Sequence, residues 1–66
     1  MTLEQDIEMK KQILNNLLAI KQVIEMGSPA QKLYFEPLYR QIQKHEIDIR
    51  NAIIIEERMI NQRQRV

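Results

Sequence analysis

Apolar residues recur at helical spacing through the first part of the chain. The longest row consists of Met9, Ile13, Leu17, Ile20 and Ile24. Steps of three or four residues place such side chains along one side of a helix. Thr2 and Gln5 have the spacing of a capping box, and no glycine or proline follows before Gly27. The pattern predicts a helix over about residues 3–26, with this row packed against a neighbouring helix.

The chain then turns at its only glycine. Gly27 suits the left-handed position that often follows a helix end, Ser28 is a preferred N-cap, and Pro29 fits a first helical turn. Ser28 and Gln31 repeat the capping-box spacing. We therefore expect a turn at 27–29 and a second helical segment over about 29–63.

Pro37 interrupts this second segment, because proline lacks an N–H and disfavours helical geometry at the residue before it. Either one helix kinks there or a short helix precedes a long one. The alignment of Phe35 with Tyr39 and Ile42 favours the kinked helix.

The expected fold is all-α, a single domain over residues 1–66 built as an antiparallel two-helix hairpin that resembles a coiled coil. A kink or a short extra helical turn precedes Pro37. The antiparallel arrangement would bring the acidic chain start near the basic chain end. The residues concerned are Glu4, Asp6 and Glu8 at the start and Arg58, Arg63 and Arg65 at the end.

The apolar surface is wider than a hairpin needs. A second row on the first helix contains Leu3, Ile7, Leu14 and Leu18, and Ile47 and Ile54 point away from the main row of the second. Two helices share one internal seam, and contiguous exposed apolar patches usually mark protein interaction sites. We predict that a partner or a second copy completes the core. The predicted partner-binding residues are Ile7, Leu14, Leu18, Ile47 and Ile54.

Composition supports an incomplete core. Sixty-six residues with 44% hydrophobic side chains and no cysteine form a small domain that lacks disulfides to stabilise it. A net charge of +1 gives no electrostatic reason to expect nucleic acid. No apolar stretch approaches the roughly 18 residues of a membrane span, and no secretory leader pattern occurs. We expect a cytoplasmic protein that does not enter membranes.

No pattern for catalysis or for cofactor or metal binding stands out. His45 precedes Glu46, but Ile49 occupies the position where a helical zinc motif needs its second histidine. Two helices offer no cleft that would shift the pKa of paired carboxylates. We therefore expect neither an enzyme nor a cofactor.

Four features together resemble the YscE-like family, the small hairpin co-chaperones of type III secretion needle subunits. They are the start Met1-Thr2-Leu3-Glu4, the break at Gly27-Ser28, Tyr39, and the cluster Ala52-Ile53-Ile54-Ile55, which begins thirteen residues after that tyrosine. Pro29 and Pro37 depart from the family pattern.

The resemblance implies a cytoplasmic hairpin that stabilises a larger tetratricopeptide-like chaperone and helps to keep the needle subunit soluble before export. Self-association is expected when the protein is alone. The alternative is a homodimeric four-helix-bundle regulator that binds nucleic acid through its arginine-rich C-terminus.

Overall fold

The computed structural model describes the backbone of residues 2–64 and the side chains of residues 2–63. Three helices occur in this order: α1 (Leu3–Glu25), α2 (Pro29–Tyr34) and α3 (Glu36–Gln64). No strand occurs in this part of the chain. The predicted all-α class is confirmed, and α1 and α3 pack against each other as a hairpin.

Both predicted capping boxes are present. The Thr2 hydroxyl accepts a hydrogen bond from the Gln5 backbone N–H at 3.1 Å, and the Gln5 side chain accepts one from the Thr2 N–H at 3.0 Å. Ser28 and Gln31 make the same reciprocal pair, at 3.3 and 3.1 Å. These bonds satisfy N–H groups that a helix start leaves without partners, so they define where α1 and α2 begin.

Gly27 does not adopt the predicted left-handed conformation, since no glycine has a positive φ. Its N–H instead donates to the Ile24 carbonyl at 3.1 Å. A Cβ at this position would lie 3.0 Å from Oε1 of Gln31, the atom that caps Ser28, and 3.3 Å from the Ile24 carbonyl oxygen. Glycine is suited to this turn because of crowding and not because of its backbone angles.

The break near Pro37 separates two helices and does not kink one. Phe35, with φ −93° and ψ 6°, ends α2, and α3 starts at Glu36. Pro37 therefore lies in the first turn of α3, where its missing N–H leaves no hydrogen bond unmade. The kinked continuous helix favoured by the sequence is therefore wrong, and the alternative, a short helix followed by a long one, is observed.

The hairpin is long and thin, with extents of 55 × 16 × 15 Å. Only three of the described hydrophobic side chains are buried, and each keeps a small exposed fraction: Ile7, Ile42 and Ile53. Among the described residues, no ion pair links Glu4 or Glu8 to Arg58 or Arg63, and Arg65 lies outside the described range. One seam thus supplies the whole core, and little of the remaining apolar surface is covered.

Candidate protein-binding surface

The seam between α1 and α3 follows a repeat of alternating three- and four-residue steps, as in a coiled coil. We define the seam by the least exposed side chains at that spacing. On α1 these are Leu3, Ile7, Lys10, Leu14, Leu17, Lys21 and Ile24; on α3 they are Tyr39, Ile42, Glu46, Ile49, Ile53, Glu56 and Ile60. Two lysines and two glutamates therefore occupy positions that a coiled coil usually fills with apolar residues.

Lys21 and Glu46 form one cross-seam pair, with Nζ 2.8 Å from Oε2. Their side chains are only 16% and 13% exposed. The hydrogen bond to Glu46 raises the pKa of Lys21, and the same bond lowers the pKa of Glu46. Both groups are held in their charged forms, so this pair is a neutralised ion pair within the seam.

Lys10 forms the second charged position of the seam. Its ammonium donates to Asp6 on the same helix and to Glu56 across the seam. The bond to Asp6 is the main cause that raises the pKa of Lys10, and Lys10 in turn lowers the pKa of Asp6. The other oxygen of Glu56, Oε2, is buried without a hydrogen-bond partner.

An antiparallel helix pair is related by a pseudo-two-fold axis perpendicular to the plane that contains both helices. Residues at equivalent positions of the repeat on the two helices therefore lie on the same face of the hairpin. Ile53, Ile54 and Ile55 show how the seam separates two faces. Ile53 lies in the seam and is 7% exposed, whereas Ile54 and Ile55, on opposite sides of it, are 48% and 58% exposed. The hairpin therefore has two distinct faces.

One face, the charged face, carries most of the ionisable side chains flanking the seam. It includes Glu4, Glu8, Lys11, Glu25, Glu36, Arg40, Arg50 and Glu57. Arg40 pairs with Glu36 at 2.6 Å and Arg50 with Glu46 at 2.8 Å. Near the open end, a groove on this face is lined partly by Glu4, Glu8, Lys11 and Glu57. The charged side chains of this face are suited to contact with solvent.

The opposite face, the apolar face, carries most of the exposed large apolar side chains of α1 and α3. We define it by Met9, Ile13, Ile20, Val23, Leu38, Ala52, Ile55 and Met59. Near the turn, Ile20 and Val23 line one groove together with Phe35 and Leu38, which places side chains of both long helices on the same side. The ionisable side chains that flank the seam on the apolar face are His45 and Asp48, together with Asp6 at the open end of the hairpin.

The turn adds a further apolar cluster. Met26, Leu33 and Tyr34 are among the most exposed large apolar side chains of the described residues, and Met26 is 86% exposed. The Tyr34 and Phe35 rings meet edge to face, with centroids 4.9 Å apart. Next to this cluster, Tyr39 donates its hydroxyl proton to Glu25, which raises the tyrosine pKa, and its ring lies 5.5 Å from the Lys21 ammonium.

The structure does not bring the five predicted partner-binding residues together. Ile7, at 6% exposure, is a core residue of the seam, so the expectation that it faces outward is wrong. Leu14 also lies in the seam, and Leu18 is partly buried beside it. Ile47 and Ile54 are exposed as predicted, but they lie on the charged face. Whether either residue binds a partner stays a prediction.

The structure divides the two predicted rows of α1 differently. Leu17 and Ile24 of the predicted packing row lie in the seam, whereas Met9, Ile13 and Ile20 of that row lie outside it. The seam continues instead through positions that Lys10 and Lys21 occupy. Lysine is tolerated there because a glutamate lies opposite each one.

The described residues contain no group of three or more His, Asp or Glu side chains placed to hold a metal ion. None of the helices as described is sufficiently long and apolar to cross a membrane. No family model, curated protein or solved structure matches this chain.

Proposed function

We propose that this protein is a protein-binding co-chaperone whose apolar face docks onto a larger helical-repeat chaperone. The observation that carries the proposal is the exposure of seven large apolar side chains, with Ala52 partly buried, on one face of a hairpin whose other face is charged. Exposed apolar surface of this kind is typical of protein interaction sites. A helical partner would bury it by the helix-in-groove mode, in which side chains at three- and four-residue spacing enter an apolar groove.

The particular partner follows from the sequence resemblance to the YscE-like family. On that basis the partner is a larger tetratricopeptide-like chaperone, and the complex keeps a type III secretion needle subunit soluble in the cytoplasm before export. The length, the early break and the Ala52–Ile55 cluster support this assignment. A hairpin with only three buried hydrophobic side chains among the described residues also has a physical reason to bind another chain, since that chain would enlarge its core.

The proposal is tested by coexpression with the larger chaperone and needle subunit, followed by affinity capture and size-exclusion chromatography. Ile55→Glu places a charge on the apolar face and should abolish the complex, because an unpaired charge in an apolar interface is strongly unfavourable. Ile54→Glu is the matched control, since the same charge next in sequence lies on the charged face and should leave binding intact.

Two results would contradict the proposal. If the wild-type chain forms no complex with either protein, the assignment of the partner is wrong. If Ile54→Glu abolishes binding and Ile55→Glu does not, the partner uses the charged face, as the sequence pattern predicts for Ile47 and Ile54.

A further inference from the structure

The charged face is not uniformly polar. On α3, Ile47 and Ile54 lie on this face and are 59% and 48% exposed, and Leu18 of α1 is partly buried beside the seam. The Lys21–Glu46 bond fixes how the two helices align. At a rise of about 1.5 Å per residue from that bond, the positions of Leu18 and Ile47 along the hairpin differ by about 3 Å. We call Leu18, Ile47 and Ile54 the apolar island of the charged face.

Polar side chains border the apolar island. Arg50 lies between Ile47 and Ile54 in the same row of α3. Its guanidinium group pairs with Glu46 at 2.8 Å, and Asn15 flanks the seam on the α1 side. An apolar centre within a polar rim is the usual anatomy of a protein interface. The seven-residue spacing of Ile47 and Ile54 is also the repeat at which a neighbouring helix presents its own side chains.

An acidic groove lies on the same face, between the apolar island and the open end. Its lining includes two apolar and four ionisable side chains: Ile7, Ile60, Glu4, Glu8, Lys11 and Glu57. Three glutamates (−3) and one lysine (+1) give this lining a net charge of −2. None of these four ionisable residues forms an ion pair with another described side chain, so the carboxylates are available to a cation from another molecule.

A long basic side chain is suited to the acidic groove. Ile7 is 6% exposed and Ile60 is partly buried, whereas the glutamates around them are exposed. Lysine and arginine lay their aliphatic stems along apolar surface and keep the charged group among polar atoms. Their hydrogen bonds to carboxylates are roughly twice as strong as those between neutral groups. The groove therefore selects a basic residue by both its apolar and its acidic lining.

The distances along the hairpin define the helix that would fit both features. Counted from the Lys21–Glu46 bond toward the open end, Ile47 lies at about 2 Å, Ile54 at about 12 Å and Glu57 at about 17 Å. A helix in the shallow groove between α1 and α3 would place two apolar side chains, seven residues apart, beside Ile47 and Ile54. A basic residue about one turn further along that helix would then reach Glu57.

We infer that the charged face is a second docking surface, whose occupant is a basic amphipathic helix of another protein. The apolar side chains of that helix cover the apolar island, and its lysine or arginine residues lie in the acidic groove. An acidic helix is disfavoured, because like charges facing each other across an interface cost several kcal/mol. The inference goes beyond the proposed function, since it uses the opposite face. A hairpin that binds on both faces would link two proteins.

Two synthetic helical peptides of about 20 residues, long enough to form a helix, test the occupant. Both carry leucines seven residues apart; one has two lysines a turn beyond the second leucine, and the other has two glutamates there. Fluorescence anisotropy with the full chain should show the basic peptide binding about tenfold more tightly, with a smaller difference in high salt because salt screens exposed charges. Equal affinities, or no binding of the basic peptide, would overturn the inference.

Two matched pairs of variants locate the peptide on the charged face. Glu57→Lys should weaken binding of the basic peptide about tenfold, whereas Asp48→Lys, the same charge change at an exposed position on the apolar face, should not. Ile54→Ser should weaken binding and Ile55→Ser should not, although both side chains are exposed. Circular dichroism checks that all four variants stay helical. If Asp48→Lys and Ile55→Ser are the weaker binders, the peptide occupies the apolar face and the inference is wrong.

The same variants separate this inference from the proposed function. Ile55→Glu should lose the larger chaperone and keep the basic peptide, and Glu57→Lys should do the reverse. The complex with the larger chaperone should still bind the peptide. If the chaperone and the peptide exclude each other, they share one face and the second docking surface does not exist. The peptide measurements need no chaperone, so failure of either proposal is recognised without the other.

Discussion

Alanine substitution of three consecutive isoleucines gives the sharpest test of the seam. Ile53, Ile54 and Ile55 have the same side chain on the same helix, yet they are 7%, 48% and 58% exposed. Each change to alanine removes three carbons, worth about 2.4 kcal/mol when the side chain is fully buried. Scaled by burial, the expected losses in unfolding free energy are about 2.2 kcal/mol for Ile53→Ala, about 1.2 for Ile54→Ala and about 1.0 for Ile55→Ala.

The cavity left inside the seam raises the figure for Ile53→Ala further, to within the usual range of about 2–5 kcal/mol for such a change. A core of this size rarely supplies more than about 3–5 kcal/mol in total. Ile53→Ala should therefore leave the protein largely or partly unfolded at 25 °C. The other two variants should stay folded.

The assay is urea unfolding followed by circular dichroism, with the wild-type protein as the reference and all three variants at the same protein concentration. If Ile54→Ala is as destabilising as Ile53→Ala, the seam assignment is wrong and the two-face description fails with it.

The remaining predictions concern the charged seam and the helix break. Lys21→Met should lower the melting temperature, because it leaves Glu46 charged within the seam, and Lys21→Met combined with Glu46→Leu should restore or exceed wild-type stability. The pKa of Glu46 is lowered and that of Lys21 is raised in the folded state. Wild-type stability should therefore fall below about pH 4.5, where Glu46 becomes protonated, and again above about pH 10.5, where Lys21 loses its proton. Thermal melts of the double variant should depend less on pH across this range. Pro37→Ala should lower the free energy of unfolding in urea by about 0.4–1 kcal/mol, because proline in a first helical turn restricts the unfolded chain without losing a hydrogen bond. Unchanged or raised stability would support a kinked helix instead.

Local signals are sufficient to predict the helix starts after Thr2 and Ser28, but not the separation of α2 from α3 at Phe35. Both capping boxes were identified from spacing alone, because the side chain of a capping residue bonds to backbone only three residues away. The hairpin followed from one interruption between two long helical patterns. Gly27 was located correctly but explained wrongly, since the crowding by Gln31 depends on a side-chain position that the sequence does not contain.

The faces of the hairpin were harder to predict, because they depend on how α1 and α3 align along each other. A helix row that contains Lys10 and Lys21 is less suitable for a core than an unbroken apolar row if the lysines have no partners. It becomes suitable when Glu56 and Glu46 lie opposite them. The assignment of Ile7 and Leu14 to a partner surface was a direct consequence of this error.

The charged seam also explains why the apolar face should matter for stability. Replacing one partner of a buried ion pair is costly, but the intact pair contributes little more than apolar residues would, so such pairs are best understood as setting alignment. Lys10 and Lys21 meet their glutamates only in the antiparallel register observed, and a shift by one helical turn would break both cross-seam pairs, leaving Lys21 and Glu56 without partners. Four seam positions are thus used for specificity and not for apolar burial. The hairpin must gain its missing stability elsewhere, and the exposed apolar face is the surface from which another chain can supply it.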